Sequence, residues 1–303
     1  MNTWLNRMFD MTTPTFKYSL AGLVVLTILL SRIGSLHRAP VLLLIHRWLR
    51  WILFAGVFSY LLRVFEFSLR PDWVHFTTGL ALWFLCETGY NWIAINALSR
   101  SDIPLFPRFK ANKADDEWPE DGHLSKLQDW LSRQHFKRLS VLEAPLFEDL
   151  VLRAFVYESP DRMTRIQMLL APGRRKAVSV FYTLCTNGPD DHRLITDNYS
   201  LPFGGYYPEN WVVARKPLAG SPEKLFRCHE ARLSRVGFES VPFENEPLDD
   251  LNEQQNLLER LNVKRGVLNP LQFREQSGRL TFDGRYRLWK EMWLLAYFGR
   301  AIH

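Results

Sequence analysis

Cysteine is scarce in this chain. Cys86, Cys185 and Cys228 are the three present among 303 residues, no two of them form a CxxC pair, and Cys86 falls inside an apolar run. That excludes a disulfide framework and close-spaced thiolate metal ligands, and a reducing compartment suits the part holding Cys185 and Cys228. Nucleotide-binding glycine loops, zinc signatures and nucleophile elbows are also missing, so no enzyme class that depends on such a motif is indicated. There is no internal repeat and no low-complexity tract. Long uncharged runs are confined to the first hundred residues, so a chain with 47% hydrophobic content has a mean hydropathy of only −0.16. No cleavable leader is expected, because Asp10 and Pro14 precede the first apolar run and no small-x-small site follows it.

The early apolar runs read as three membrane spans, about 16–36, 44–65 and 73–98. In the first, Lys17 and Arg32 bracket an uncharged stretch and can snorkel to the interfaces. The second has a shorter uncharged core, Trp51–Leu62, flanked by Arg50 and Arg63. The third carries Trp73, Trp83 and Trp92 and one charge near its middle, Glu87. With three spans, the basic residues Arg32, Arg38, Arg47, Arg50, Arg100, Arg108, Lys110 and Lys113 fall on one side and Arg7, Lys17, Arg63 and Arg70 on the other. The positive-inside rule then puts the amino terminus outside a plasma (inner) membrane and the carboxyl-terminal part in the cytoplasm.

Residues 1–98 thus form a helical membrane module, 99–122 a basic-then-acidic linker and 123–303 an α+β cytosolic domain. The linker's basic half, with Arg108, Lys110 and Lys113, is expected to lie on anionic lipid headgroups, a partner that also accounts for 38 basic against 32 acidic residues without any nucleic acid. In the domain, Leu124, Leu127, Trp130 and Leu131 recur at helical spacing over His123–His135. Strand-like runs follow at Leu150–Tyr157, Thr164–Ala171, Ala177–Thr186, Arg193–Tyr199 and Trp211–Arg215. The short gaps between them leave little room for crossover helices, so a mainly antiparallel sheet is expected. Ser221–Pro222 and Asp249 or Asp250 mark two helix starts. Asp283–Gly284 suggests a last hairpin over Gly278–Arg287, before a closing helix Tyr286–Ile302 that could be buried or lie on the membrane.

Candidate chemistry is sparse. Tyr182–Tyr199 gathers Cys185, His192 and Asp197, the types needed for a thiolate nucleophile, its base and an orienting acid, although the same residues describe a polar hairpin. Cys185, His192, Cys228 and His229 lack zinc-ligand spacing, and His37, His46 and His75 are better read as interfacial histidines than as haem ligands. Gly173–Lys176 is a basic turn, and Gly204–Gly205 is a loop without the lysine and helix of a phosphate cradle. Within the membrane, Arg50 and Glu87 are expected at similar depth, either as an ion pair or with Arg50 snorkelling to headgroups and Glu87 protonated in the bundle. No cofactor or metal is called for. The favoured expectation is a non-enzymatic membrane-anchored interaction, scaffold or regulatory subunit with a protein partner or a second copy of itself. The alternatives are a membrane-tethered hydrolase using Cys185, His192 and Asp197, and a small transport or sensing module.

Overall fold

The computed structural model describes residues 14–36, 39–112, 122–147, 150–172 and 178–301. The chain divides into two units, Met1–Ile95 with Met292–Gly299, and Asn96–Glu291 with Arg300–His303.

The first unit is built on helices α1 (Pro14–Leu36), α2 (Pro40–Val64) and α3, which spans Asp72–Arg100 and enters the second unit at Asn96. Proline starts α2: Ala39 is extended, at φ −91°, and Pro40 takes the first helical position, where its missing N–H costs nothing. Small residues let the helices approach. A Cβ on Gly79 would lie 2.9 Å from the Ala55 Cα, which packs α2 tightly on α3. Nearby, Trp51 Nε1 donates to the Leu80 carbonyl at 2.9 Å and Ser59 Oγ to the Asp72 carbonyl at 3.1 Å. Among the described residues two helices are long and apolar enough to cross a membrane, α1 over Pro14–Gly34 and α2 over Pro40–Val64, each with mean hydropathy 1.6. The third expected span is a continuous helix of 29 residues, but Asp72, His75, Glu87, Asn91 and Asn96 make it more polar than the other two.

The second unit is a mixed α/β domain. Its seven strands are β1 (Lys110–Ala111), β2 (Lys137–Phe147), β3 (Leu150–Glu158), β4 (Thr164–Pro172), β5 (Val178–Asn187), β6 (Arg193–Asp197) and β7 (Trp211–Arg215). They lie side by side in chain order, each neighbouring pair antiparallel except β6 and β7, which are parallel. The sheet is therefore mostly antiparallel, as the short gaps between strands implied. The return needed for the parallel pair is made by residues 198–210, which contain no helix.

Helices cover both faces. On one, Leu127, Trp130 and Leu131 of α4 (Gly122–Arg133) and Leu225 of α5 (Pro222–Val236) bury against Phe155, Tyr157, Ile166, Met168 and Leu184. On the other, α6 (Pro247–Lys264) places Leu251 among Leu142, Ala144, Ala154 and Val156, and Leu258 among Cys185, Ile195, Trp211 and Phe243. The period-2 alternation of the strands divides the two cores. Helix α5 starts as its sequence predicts, with Ser221 Oγ accepting from the Lys224 N–H and Gly237 ending it at φ 60°.

Three expectations need correction. No strand was expected at β2, whose Lys137, Arg138, Glu143 and Pro145 obscure its alternation; only β1's two residues pair along its outer side, so proline and charge are tolerated there. The basic half of the expected linker is part of the domain, since β1 pairs with β2 and Phe109 is buried beside Leu142. The Asp283–Gly284 hairpin does not form. After the short helix α7 (Arg274–Ser277) and a Leu268–Leu280 bridge, helix α8 runs from Phe282 to Trp293 and continues as a π turn, Leu294–Phe298. Gly284 serves contact instead of a turn, since a Cβ there would lie 2.2 Å from the Val267 carbonyl oxygen.

Candidate functional site

Strand register decides what the Cys185, His192 and Asp197 candidates can do. Cys185 on β5 pairs with Arg165 on β4 and Ile195 on β6, so its side chain faces α6 and lines a narrow pocket with Arg165, Gln167, Thr183, Asp250 and Gln254. Burial pushes the thiol up to about 12, with the nearby Arg193 and Arg165 charges opposing only part of that rise. A thiol held so far above neutrality stays protonated and is a poor nucleophile. His192 sits in the exposed turn before β6, its Nδ1 donating to the Pro189 carbonyl at 2.9 Å. Asp197 is 3% exposed and accepts from Arg215 Nε at 3.1 Å and from the Tyr199 N–H at 3.0 Å. Each of the three is committed elsewhere, so nucleophile, base and orienting acid are not assembled.

Two buried ion clusters run across the same sheet face, and neither was anticipated. In the first, Arg165 Nε meets Glu158 Oε2 at 2.9 Å and Arg193 Nη2 meets Asp250 Oδ1 at 2.7 Å, while Arg165 Nη1 lies 3.7 Å from Asp250 Oδ2. The guanidiniums stack on aromatic rings, Arg165 4.2 Å from the Phe243 centroid and Arg193 5.5 Å from that of Trp211. In the second, Arg215 joins Asp197 to Glu291 of α8 at 3.1 and 3.0 Å and donates to Tyr207 Oη at 3.0 Å. Glu291 also accepts from the Phe203 N–H at 2.9 Å and from the Gly204 N–H. These bonds place the Gly204–Gly205 loop as a docking point for α8. Burial raises Asp197 to about 6, with Arg215 pulling the other way. Paired, hydrogen-bonded charges of this kind fix the register of a helix on a sheet.

On the opposite face, His229 is fully buried between Thr186 Oγ1, 2.9 Å from Nε2, and Thr196 Oγ1, 2.8 Å from Nδ1. Arg232 donates to Thr196 Oγ1, which leaves the Thr196 hydroxyl proton for Nδ1 and places the imidazole proton on Nε2, facing Thr186. Burial, with the Arg232 charge adding to it, lowers His229 to about 3, so the ring is neutral. His229 and Cys185 lie on opposite faces, and the four-residue zinc set is not brought together. Among the described residues no group of three or more His, Cys, Asp or Glu side chains could hold a metal.

In the first unit, Glu87 and Arg50 are not paired with each other. Glu87 accepts from the Tyr297 hydroxyl, and Arg50 lies over the Trp83 ring at 5.3 Å from its centroid. Tyr297 comes from the π turn that follows α8, a polar donor so far along the chain that spacing within the spans could not reveal it. The turn is held by aromatic packing: Trp48 Nε1 donates to the Tyr297 carbonyl at 2.8 Å, and Trp293 stacks on Tyr297 at 4.8 Å and tilts on Phe84 at 5.0 Å. Residues 292–298 of the closing helix therefore pack on α2 and α3, with Tyr297 buried and Phe298 exposed. His46 Nδ1 donates to the Thr27 carbonyl at 3.1 Å, and His75 is 3% exposed. Of the expected lipid contacts, Arg108 pairs with Glu259 at 2.7 Å and Lys110 with Glu143 at 3.1 Å, while Lys113, like His37 and Gly173–Lys176, lies outside the described residues.

Comparison of the chain with protein-family models, with characterised proteins and with solved structures finds no match.

Proposed function

We propose that this protein is a three-span membrane protein whose α/β domain is a non-enzymatic interaction module on the cytoplasmic face. The observation that carries the reading is the state of Cys185, buried at 8% exposure with its thiol pushed up to about 12 while His192 sits in an exposed turn. Hydrolase chemistry needs that thiol and an imidazole within reach in an open cleft. The buried charges on the α6 face are engaged with each other, which suits a rigid platform for recognition.

The third span, α3, is supported by its outward residues Leu85, Tyr90 and Ile93, exposed at 63%, 70% and 71%, and by the hydrogen bond from Tyr297 that partners its single mid-helix charge, Glu87. Three spans and the excess of Arg and Lys around α1–α2 and after α3 give the orientation, with the amino terminus outside and anionic headgroups on the domain side. A plasma membrane fits this charge distribution.

The test is purification of the full chain in mild detergent with subunit stoichiometry measured, beside a Cys185→Ser variant. The reading expects a complex of fixed stoichiometry, of this chain alone or with a second protein, that Cys185→Ser leaves intact. A monodisperse monomer whose hydrolytic turnover of acyl or phosphoryl esters disappears with Cys185→Ser would replace it with the enzyme reading.

A further inference from the structure

Two arginines stand on an apolar surface of α2 with no acid to match them. Leu43, Arg47, Arg50 and Leu61 follow one another at spacings of four, three and eleven residues, so they share one side of the helix. All four are exposed, Leu43 at 38% and Leu61 at 44%. The guanidiniums therefore emerge between apolar side chains and not beyond the end of the apolar stretch. Neighbouring elements of the same unit leave their charge in place. On α3, the Trp83 ring centroid lies 5.3 Å from Arg50 Cζ, and one turn further on Glu87 accepts from the Tyr297 hydroxyl. On α1, the Thr27 carbonyl accepts from His46 Nδ1, and a Cβ on Gly34 would lie 3.0 Å from Leu43 Cδ2, which brings the exposed Arg32 to the same end of α2. Among the described residues neither Arg47 nor Arg50 forms an ion pair. At this end of the first unit Arg32, Arg47 and Arg50 are set against one carboxylate, Glu87.

From this arrangement we infer that Arg47 and Arg50 clamp the phosphate of an anionic phospholipid in the leaflet at the amino-terminal end of α2. The inference rests on the reading of α2 as a membrane span. Side chains three apart on a helix are neighbours, and the planar guanidinium matches phosphate oxygens in pairs, so two such groups can hold one phosphate between them. A cation set among lipid-facing leucines is costly when unpaired, and a phosphodiester drawn to its level neutralises it inside the bilayer. Leu61 lies about 16 Å beyond Arg50 at about 1.5 Å per residue, so acyl chains running inward from the bound phosphate follow this side of the helix. The surplus of arginine over Glu87 selects the headgroup. A zwitterionic lipid brings a cation of its own, whereas phosphatidylglycerol brings negative charge alone.

The test uses the full-length protein in mild detergent, with phosphatidylglycerol titrated and the lipid-bound fraction read by native mass spectrometry. Wild type is compared with Arg47→Gln, Arg50→Gln, the double variant and Arg63→Gln, a control that removes an exposed charge at the other end of α2. Each single change in the clamp should weaken binding at least about threefold and the double change at least about tenfold, while Arg63→Gln stays within about twofold of wild type. Phosphatidylcholine should bind wild type at least about tenfold more weakly than phosphatidylglycerol. Wild-type affinity in the double variant, an equal loss in Arg63→Gln, or equal affinity for the two lipids overturns the site. Displacement of the lipid by millimolar glycerol phosphate also overturns it, because a soluble phosphate would then be the ligand. If the double variant does not fold, the two single variants decide by the same criterion. Alkaline carbonate extraction of membranes separates the two readings: release of the protein removes α2 as a span and the site with it, whereas a retained protein whose lipid affinity ignores both arginines loses the site alone.

Discussion

The buried His229 and Asp197 should give the α/β domain two opposing pH dependences that partly cancel in the wild type and separate in variants. His229 is lowered to about 3 by burial and the Arg232 charge, so acidification protonates it in the unfolded chain first. The stability it contributes is present above the unfolded value, near 6.5, and is lost as pH falls. From about pH 7 to about pH 5 that loss comes to about 2 kcal/mol. Asp197 works the other way. Burial raises it to about 6 from 3.8, so the folded state takes up the proton first and stability rises on acidification through that value. Over the same interval the gain is about 1 kcal/mol. The measurement is hydrogen exchange at the β5 and β6 amides in the full-length protein, corrected for intrinsic exchange rates, near pH 7 and near pH 5. Both variants will be less stable than wild type, so the change with pH is the quantity compared. Wild type should change by less than about 1 kcal/mol, His229→Gln should gain on acidification, and Asp197→Asn should lose about 2 kcal/mol. If His229→Gln follows the wild-type profile, the imidazole is not held neutral between Thr186 and Thr196, and the arrangement of that core is wrong.

Gly284→Ala should cost about 2 kcal/mol or more by thermal unfolding although alanine favours helices, because its Cβ would meet the Val267 carbonyl oxygen at 2.2 Å. Tyr297→Phe and Glu87→Gln should each lower thermal stability in detergent by about 1–2 kcal/mol and be non-additive together, while Arg50→Met and Glu87→Gln should add, since Arg50 packs on Trp83. Strong coupling of Arg50 with Glu87 in that cycle would restore the ion pair that spacing alone suggested.

Much of the architecture could be read from local signals, and the failures share a cause. Helices α1 and α2 are defined by unbroken apolar runs and by Pro40, and α5 by Ser221–Pro222, all short-range features. The strands from β3 onward alternate clearly enough to be found within a residue or two at most ends. What sequence hid depends on distant partners. Arg165, Arg193, Asp197 and Arg215 look like solvent-facing strand residues, yet α6 and α8 bring Asp250 and Glu291 to them and bury the set. Charges of opposite sign at matching positions on neighbouring strands, such as Glu158 opposite Arg165 and Asp197 opposite Arg215, were the available clue. Glu87 likewise could not be matched to Tyr297 from spacing within α2 and α3. Asp283–Gly284 misled because aspartate and glycine also suit the first turn of a helix when glycine is needed for close approach.

The membrane topology tests the account most directly. A reporter fused before Met1 and another fused after His303, each in the otherwise intact protein, are assayed for side of the membrane. The account predicts the first outside and the second in the cytoplasm, the arrangement required by the proposal that α1, α2 and α3 each cross. Both reporters on one side would contradict it, remove α3 as a span and leave the orientation of the α/β domain without its basis.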